Sequence, residues 1–275
     1  MKSKGCDCII GYGNARSNLS RAIANMSIME KVECHIISSA DNDGSRINTG
    51  NSGIVQMCNA KFHFCENNNV SETVETVLND CKKRGMNPYY IYGDKYGKGN
   101  EIVPLEAYRK VYEEIKEQSE IQFDYIFLAT GTGMTQGGLL LGRKSHDGQE
   151  KIVGISVARE KQQEEKVLKN MLDCYSQTRN VQYIDLDEIE ICDNYLCGGY
   201  GKHNAELLIT IKRMMRENGI PLDITYTGKA YYGMKQYIES NSLKNKNILF
   251  IHTGGTPLFF DNLQAMIDFG EKDGR

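Results

Sequence analysis

The chain of 275 residues has no uninterrupted apolar run near the ~18 residues that cross a bilayer, which excludes a membrane-spanning helix. It has no basic block either. Lys and Arg number 33 against 36 Asp and Glu, a net charge of −3, which argues against a nucleic-acid partner or a polybasic membrane anchor. The opening MKSKGCDCII passes from lysine straight into a short apolar strand and lacks a signal-peptide pattern, so a cytoplasmic protein is expected. No CxxC occurs among the nine cysteines, and their odd count excludes a complete disulfide framework. Several of them lie in apolar segments, where cysteine behaves as a small hydrophobe. His35 and His63 stand beside Cys34 and Cys65, but neither pair has zinc-site spacing, and no metal is expected. No internal repeat is present.

What the chain does contain is an alternation of short apolar runs with longer amphipathic ones. Strands are expected at Cys6–Gly11, Val32–Ser38, Lys61–Cys65, Tyr89–Tyr92, Tyr125–Thr130, Ile152–Val157 and Ile248–His252. In Glu206–Glu217 the residues Leu207, Leu208, Ile211, Met214 and Met215 form one apolar stripe, and Asn218-Gly219 ends the helix. Pro104 is expected to open another helix, with Leu105, Tyr108, Val111, Tyr112 and Ile115 on one face. The charged stretch Arg159–Asn170 reads as a solvated helix face. Such alternation predicts an α/β protein with open, parallel, twisted sheets covered by helices. A boundary in the glycine-rich YGKGNEI segment separates a smaller domain, 1–102, from a larger one, 103–275.

Four polar, glycine-bearing segments carry the chemistry. The first is Ala129-Thr130-Gly131-Thr132-Gly133-Met134-Thr135-Gln136-Gly137-Gly138, between a strand and an apolar helix. Its glycines let successive N–H groups converge, and the helix N-terminus adds positive potential, which suits a phosphate. A dinucleotide fingerprint would need glycine where Gln136 stands, and the Gly-Lys-Ser/Thr ending of a P-loop is absent. The second, Gly13-Asn14-Ala15-Arg16-Ser17-Asn18, either caps a helix or presents its N–H groups to a carboxylate. The third is Leu222-Asp223-Ile224-Thr225-Tyr226-Thr227-Gly228-Lys229-Ala230. The fourth, Ile251-His252-Thr253-Gly254-Gly255-Thr256-Pro257, ends a strand, where open α/β sheets bind ligands. Taken singly, His252 and Tyr226 suit packing as well as chemistry, and the first loop alone also suits a sugar-phosphate or nucleotide-binding module.

In order and wording these segments resemble D-cysteine desulfhydrase and its relative 1-aminocyclopropane-1-carboxylate deaminase, pyridoxal 5'-phosphate (PLP) enzymes of the tryptophan-synthase-β fold, fold type II. The resemblance runs from Gly5 to about Asp261. It includes Asn48-Thr49-Gly50-Asn51, Asn87-Pro88-Tyr89 and Gly199-Tyr200-Gly201 as well as the four segments above. The resemblance implies that Gly131, Thr132, Gly133, Met134 and Thr135 hold the cofactor phosphate and that Asn18 binds the ring 3′ oxygen. Ser17 then faces the substrate carboxylate and reacting carbon, Tyr226 transfers a proton or positions the substrate, and Thr227 and Thr253 lie beside the pyridine nitrogen. The deaminase pattern has glutamate after the tyrosine, whereas this chain has Thr227, and Thr253 follows His252 as in the desulfhydrases. A neutral partner suits β-elimination, in which a leaving group at Cβ relieves the carbanion without a deep electron sink.

The resemblance also implies a Schiff-base lysine in a Gly-Gly-Asn-Lys-like segment, one helix upstream of the Ser-Asn loop. Here the matching sequence begins almost at residue 1. Lys4 leads directly into the first strand, and Lys229 matches a family lysine with another role. Gly93-Asp94-Lys95 also stands where the family usually has Gly-Gly-Ser. The fold is therefore expected to be N-terminally incomplete: truncated, split with a separate polypeptide supplying the lysine, or degenerate and non-catalytic, with the first two ranked above the third. The expected activity is α,β-elimination from a small amino acid such as D-cysteine, giving pyruvate, ammonia and sulfide. A deaminase-like enzyme and a non-catalytic PLP-binding remnant are the alternatives. A homodimer is implied by the resemblance alone.

Overall fold

Apolar residues at successive strand positions, buried on alternate faces, require helices on both sides of a sheet, and two such sheets form. The computed structural model describes residues 1–39 and 49–269, which fall into two units, Met1–Asn100 and Glu101–Arg275. Asn48, in the Asn48–Asn51 segment, lies outside the described residues. No helix among the described residues is long and apolar enough to cross a membrane.

In the first unit the strands are β1 (Cys8–Tyr12), β2 (Glu33–Ser39), β3 (Lys61–Cys65) and β4 (Pro88–Tyr90), all parallel, in the order β3-β2-β1-β4. Helices α1 (Asn18–Glu30), α2 (Gly50–Met57) and α3 (Val70–Lys83) cover it. Strand β2 shows why both faces need cover. Its Cys34 and Ile36 pack with Ile23, Ala24 and Val55, while Ile37 on the other face packs with Cys8, Val74, Val77 and Tyr90.

The second unit repeats this plan with β5 (Tyr125–Thr130), β6 (Lys151–Ser156), β7 (Glu190–Cys192) and β8 (Ile248–Phe250), parallel in the order β7-β6-β5-β8. Its helices are α4 (Ile102–Gln118), α5 (Met134–Ser145), α6 (Lys161–Arg179), α7 (Ala205–Asn218), α8 (Thr227–Ser240), α9 (Thr256–Asp261) and α10 (Leu263–Asp268). Ile126, Leu128 and Ile152 face a core shared with α4, α5 and α6, while Phe127, Ala129, Val153 and Ile155 face Ala230 and Met234 of α8.

The structure departs from the sequence expectations at several places, among them the third polar segment, whose Thr227–Ala230 lie inside α8. Strand β7 is an addition: three residues at a sheet edge are too few for a periodic signal. Helix α4 starts at Ile102, so Pro104 sits inside its first turn rather than opening it, where its missing N–H still costs nothing. The charged stretch from Arg159 is not wholly solvated, because Glu164 is fully buried and paired with Arg159. Gly137 and Gly138 belong to α5 rather than to the preceding loop. There, side chains on Gly138 and Gly142 would meet Tyr108 Cβ at 2.3 Å and Tyr112 Cβ at 2.4 Å, so both glycines let α5 lie close against α4.

Much of the added Gly138 contact is to backbone, including Leu105 O at 2.7 Å, and backbone cannot step aside cheaply. Gly138→Val should therefore lower unfolding stability by about 1–3 kcal/mol, read as a shift in the urea midpoint with unchanged slope. Gly53, which has open space around an added Cβ, provides the control through Gly53→Ala.

Candidate functional site

In each sheet the chain builds outward from one central strand and then returns to its other side. The order reverses beside β1 in the first unit and beside β5 in the second. At such a reversal the loops leaving the two strand ends diverge and open a crevice. The candidate loops follow these ends: residues 13–17 after β1, 131–133 after β5 and 251–255 after β8.

After β5 the backbone turns through Gly133, which adopts φ +77° as the N-cap of α5. That left-handed conformation suits glycine, and a side chain there would also crowd Met171 and Leu168. No side chain caps α5, so the N–H groups of its first turn, at Met134 and Thr135, face outward together with exposed Thr132. Beneath the loop, Arg159 Nη1 donates to the Gly131 carbonyl and pairs with Glu164 Oε2 at 2.9 Å, while Thr130 Oγ1 donates to Glu164 Oε1 at 3.4 Å. Gln136, at the position that rules out a dinucleotide fingerprint, is buried over Gly154 and donates to the Glu190 carbonyl at 2.8 Å.

The segment before α8 is organised by Asp223. Its buried carboxylate accepts the N–H groups of Thr225 (2.8 Å), Tyr226 (2.7 Å) and Thr227 (3.0 Å), together with the Thr227 hydroxyl (2.8 Å). The Thr227 oxygen in turn accepts the Asp223 N–H at 3.0 Å. Gly255 completes this cradle, since a Cβ there would stand 2.4 Å from Asp223 Oδ2. Thr227 is thus buried and backed by a hidden carboxylate, whereas Thr253 is exposed. His252 donates from Nε2 to the Pro221 carbonyl at 2.9 Å and accepts the Gly254 N–H at Nδ1.

Tyr226 and Tyr200 share a hydrogen bond between their hydroxyls, 2.5 Å long, with the rings edge to face. Burial, then the Tyr200 phenol, pushes the Tyr226 hydroxyl far above its ordinary range. Tyr200 is held by the run Gly198, Gly199 and Gly201, all at positive φ. Lys229 anchors that loop by donating to the carbonyls of Leu196 (2.7 Å) and Gly199 (2.6 Å), and burial lowers its pKa. Its amine is committed to structure, which sequence alone could not decide.

In the first unit, Ser17 caps α1, its Oγ accepting the Leu19 N–H at 3.1 Å. Asn18 Oδ1 accepts from Asn51 Nδ2 at 2.8 Å, which directs the donor Nδ2 of Asn18 to the opposite side. Asn51 is fully buried, also donates to the Arg16 carbonyl at 2.8 Å and accepts from Arg21 Nε at 2.9 Å. Its position is set by Thr49, which closes a capping box with Ser52 at the start of α2. Among the expected residues, then, Gly131–Thr135, Tyr226, Thr227 and Thr253 belong to the second unit, and Ser17 and Asn18 to the first. The supporting residues Asp223, Asn51, Arg159 and Glu164 were not singled out. An aspartate just ahead of a helix start was the one local signal that could have revealed Asp223.

Taken unit by unit, the groups have the chemistry PLP needs: in the second unit an uncapped helix N-terminus behind a left-handed glycine suits a phosphate, and in the first the amide of Asn18, held by Asn51, can donate to an oxygen. Comparison with known proteins gives the family. The family model described as "Pyridoxal-phosphate dependent enzyme" matches residues 4–254. The chain is 27% identical over 269 residues to a Pyrococcus abyssi (strain GE5 / Orsay) protein provisionally named 1-aminocyclopropane-1-carboxylate deaminase, covering 97% of this chain and 79% of that one. To the D-cysteine desulfhydrase of Klebsiella pneumoniae (strain 342) it is 26% identical over 266 residues, 94% of this chain and 79% of that one. The crystal structure of an ACC deaminase homologue superposes with a TM-score of 0.82 at 26% identity, covering 98% of this chain and 80% of that one. The chain belongs to the pyridoxal-phosphate dependent enzyme family, with the two-sheet α/β fold of its deaminase and desulfhydrase branch and PLP as cofactor.

Proposed function

We propose that the protein catalyses α,β-elimination from a small amino acid such as D-cysteine: D-cysteine and water give pyruvate, ammonia and sulfide. The observation that carries this is the hydroxyl of Thr227 directly after Tyr226, where a carboxylate would mark the ring-opening deaminase. The nearest carboxylate, Asp223, is saturated by three N–H groups and the Thr227 hydroxyl, so its charge is spread over those donors.

PLP, when bound, supplies the electron sink for the carbanion at the substrate's Cα. The chain's own groups divide the remaining work. The N–H groups of Gly131–Thr135 bind the phosphate dianion, and Asn18 Nδ2 donates to the ring oxygen. Ser17 and the N-terminal N–H groups of α1 orient the substrate carboxylate. Tyr226, whose proton is held on by burial and the Tyr200 phenol, donates a hydrogen bond to the departing sulfur and positions it. The base at Cα is assigned to a lysine from a preceding or separate segment, since Lys229 holds the carbonyls of Leu196 and Gly199. A cytoplasmic location goes with this proposal, and so does a homodimer, the latter by family resemblance.

The test incubates the chain with PLP and D-cysteine, alone and with a co-expressed segment carrying the family's Gly-Gly-Asn-Lys-like sequence. Pyruvate and sulfide release should rise by about 10²–10⁴-fold with the segment, the contribution of one positioned acid–base group. Release of ammonia from 1-aminocyclopropane-1-carboxylate, with no sulfide from cysteine, would overturn the elimination in favour of the deaminase. Robust sulfide release by the chain alone would overturn the assignment of the base.

A further inference from the structure

At the end of β1 opposite the Ser17 loop lies a second cluster of chemically active side chains, unused by the proposed reaction. Cys8 is the first residue of β1 and pairs in register with Glu33 of β2. Two residues further along β2, on the same face, stands His35. Cys81 completes the group from the buried stripe of α3 that also carries Val74 and Val77. All three are buried. Cys8 Sγ is 3.5 Å from Cys81 Sγ, Cys81 Sγ is 3.7 Å from His35 Nε2, and all three atoms lie within 4.8 Å of one another.

We propose that Cys8, Cys81 and His35 form a buried site for a thiophilic divalent cation such as Zn²⁺, with these three side chains as its protein ligands.

Tetrahedral zinc, with bonds of ~2.3 Å to sulfur and ~2.0–2.1 Å to imidazole nitrogen, sets sulfur–sulfur and sulfur–nitrogen edges of roughly 3.8 and 3.6 Å. The observed edges, 3.5 and 3.7 Å, differ from these by a few tenths of an ångström. Glu33 Oε1 lies 2.6 Å from His35 Nε2, a hydrogen-bond contact on the nitrogen that would face the ion. A cation entering there replaces the proton that these two atoms share. The outer partners are also in place. His63 Nε2 is 2.7 Å from His35 Nδ1, the kind of contact that fixes a ligand imidazole's tautomer and ring plane. Arg84 grips Glu33 through both guanidinium nitrogens and donates to Cys81 Sγ at 3.3 Å.

Charge balance favours an ion over bare packing. Two thiolates would balance a dication, while the Glu33 carboxylate is held by the Lys61 ammonium at 3.0 Å and the Arg84 guanidinium at 2.6 Å. Cys8 and Cys81 pack among Ile10, Ile37, Val74 and Val77, but Cys81 also touches the imidazole of His35 and the guanidinium of Arg84, and polar groups brought into a core cost energy unless paired. Ligands drawn from three elements also explain why no metal-site spacing is visible in the sequence.

The test titrates the purified, reduced full chain with Co²⁺ and follows the near-ultraviolet thiolate-to-cobalt charge-transfer band. The expected result is one ion per chain, displaced by Zn²⁺. The band should be lost in Cys8→Ser and in Cys81→Ser and retained in Cys34→Ser, and His63→Ala should bind about 10–100-fold more weakly. A measurement on the unmodified chain guards against variants that misfold. In urea just below the unfolding transition, Zn²⁺ should slow alkylation of Cys8 and Cys81 but not of Cys58, as mapped by mass spectrometry. No thiolate band in the wild-type chain, a band that survives both ligand substitutions, or a Cys8–Cys81 disulfide that forms in preference to metal binding would each overturn the proposal.

Discussion

On the proposed elimination, replacing Tyr226 by phenylalanine should lower kcat/KM for D-cysteine by about 10²–10³-fold, the usual loss when one donor aimed at developing negative charge is removed. The phenylalanine keeps the ring that packs edge to face on Tyr200 and removes only the hydroxyl, so the unfolding midpoint should hardly move. Tyr200→Phe separates the contribution of the Tyr226 hydroxyl from that of its partner. It deletes the partner of the 2.5 Å hydrogen bond but leaves the Tyr226 proton in place, and a loss smaller than that of Tyr226→Phe is expected. The pH profile gives a further check. Burial and the Tyr200 phenol raise the Tyr226 pKa, so the hydroxyl stays protonated through neutrality and past the ordinary tyrosine range near 10. Activity should therefore show no alkaline limb from this group below about pH 10. Equal kcat/KM values for wild type and Tyr226→Phe would remove the tyrosine from the reaction.

Asp223→Ala should produce the largest loss of stability of any single substitution around the site, about 3–5 kcal/mol. Alanine leaves the N–H groups of Thr225, Tyr226 and Thr227 and the Thr227 hydroxyl without their acceptor, in a segment from which water is mostly excluded. Each buried, unpaired donor costs about 1–3 kcal/mol, although local relaxation keeps the total below the sum. The carboxylate also sits at the N-terminal, positive end of α8, a favourable interaction that alanine abolishes. Asparagine should rescue only part of this, because its NH₂ would oppose donors that now meet a carboxylate oxygen. Urea unfolding of the three proteins measures the order. A midpoint for Asp223→Ala within error of wild type would show that the cradle does not hold the start of α8.

This pair of residues shows how far the sequence could be read. Tyr226 was visible because its segment, Tyr226-Thr227-Gly228-Lys229-Ala230, is one of those that carry the family resemblance. Asp223, three residues earlier in the same segment, passed as ordinary polar loop. Its importance comes from burial and from Gly255, which approaches from a distant part of the chain. Ser17 shows the same limit in another way. The sequence left capping and ligand binding both open, and the structure shows the cap directly. Arg159 and Glu164 read as solvent-facing charge, yet they pair beneath the Gly131 loop, because β5 and β6 lie side by side and carry the loop and the start of α6 together.

The α/β class and most strand positions were carried by periodicity in the sequence, since each face of a strand or helix must match its burial wherever it lies in the chain. Which side chains support the loops, where Lys229 spends its amine and whether Cys8, His35 and Cys81 meet were decided only by tertiary structure. Such contacts join residues as far apart as 73 positions, and a distance of that kind leaves no mark on local pattern.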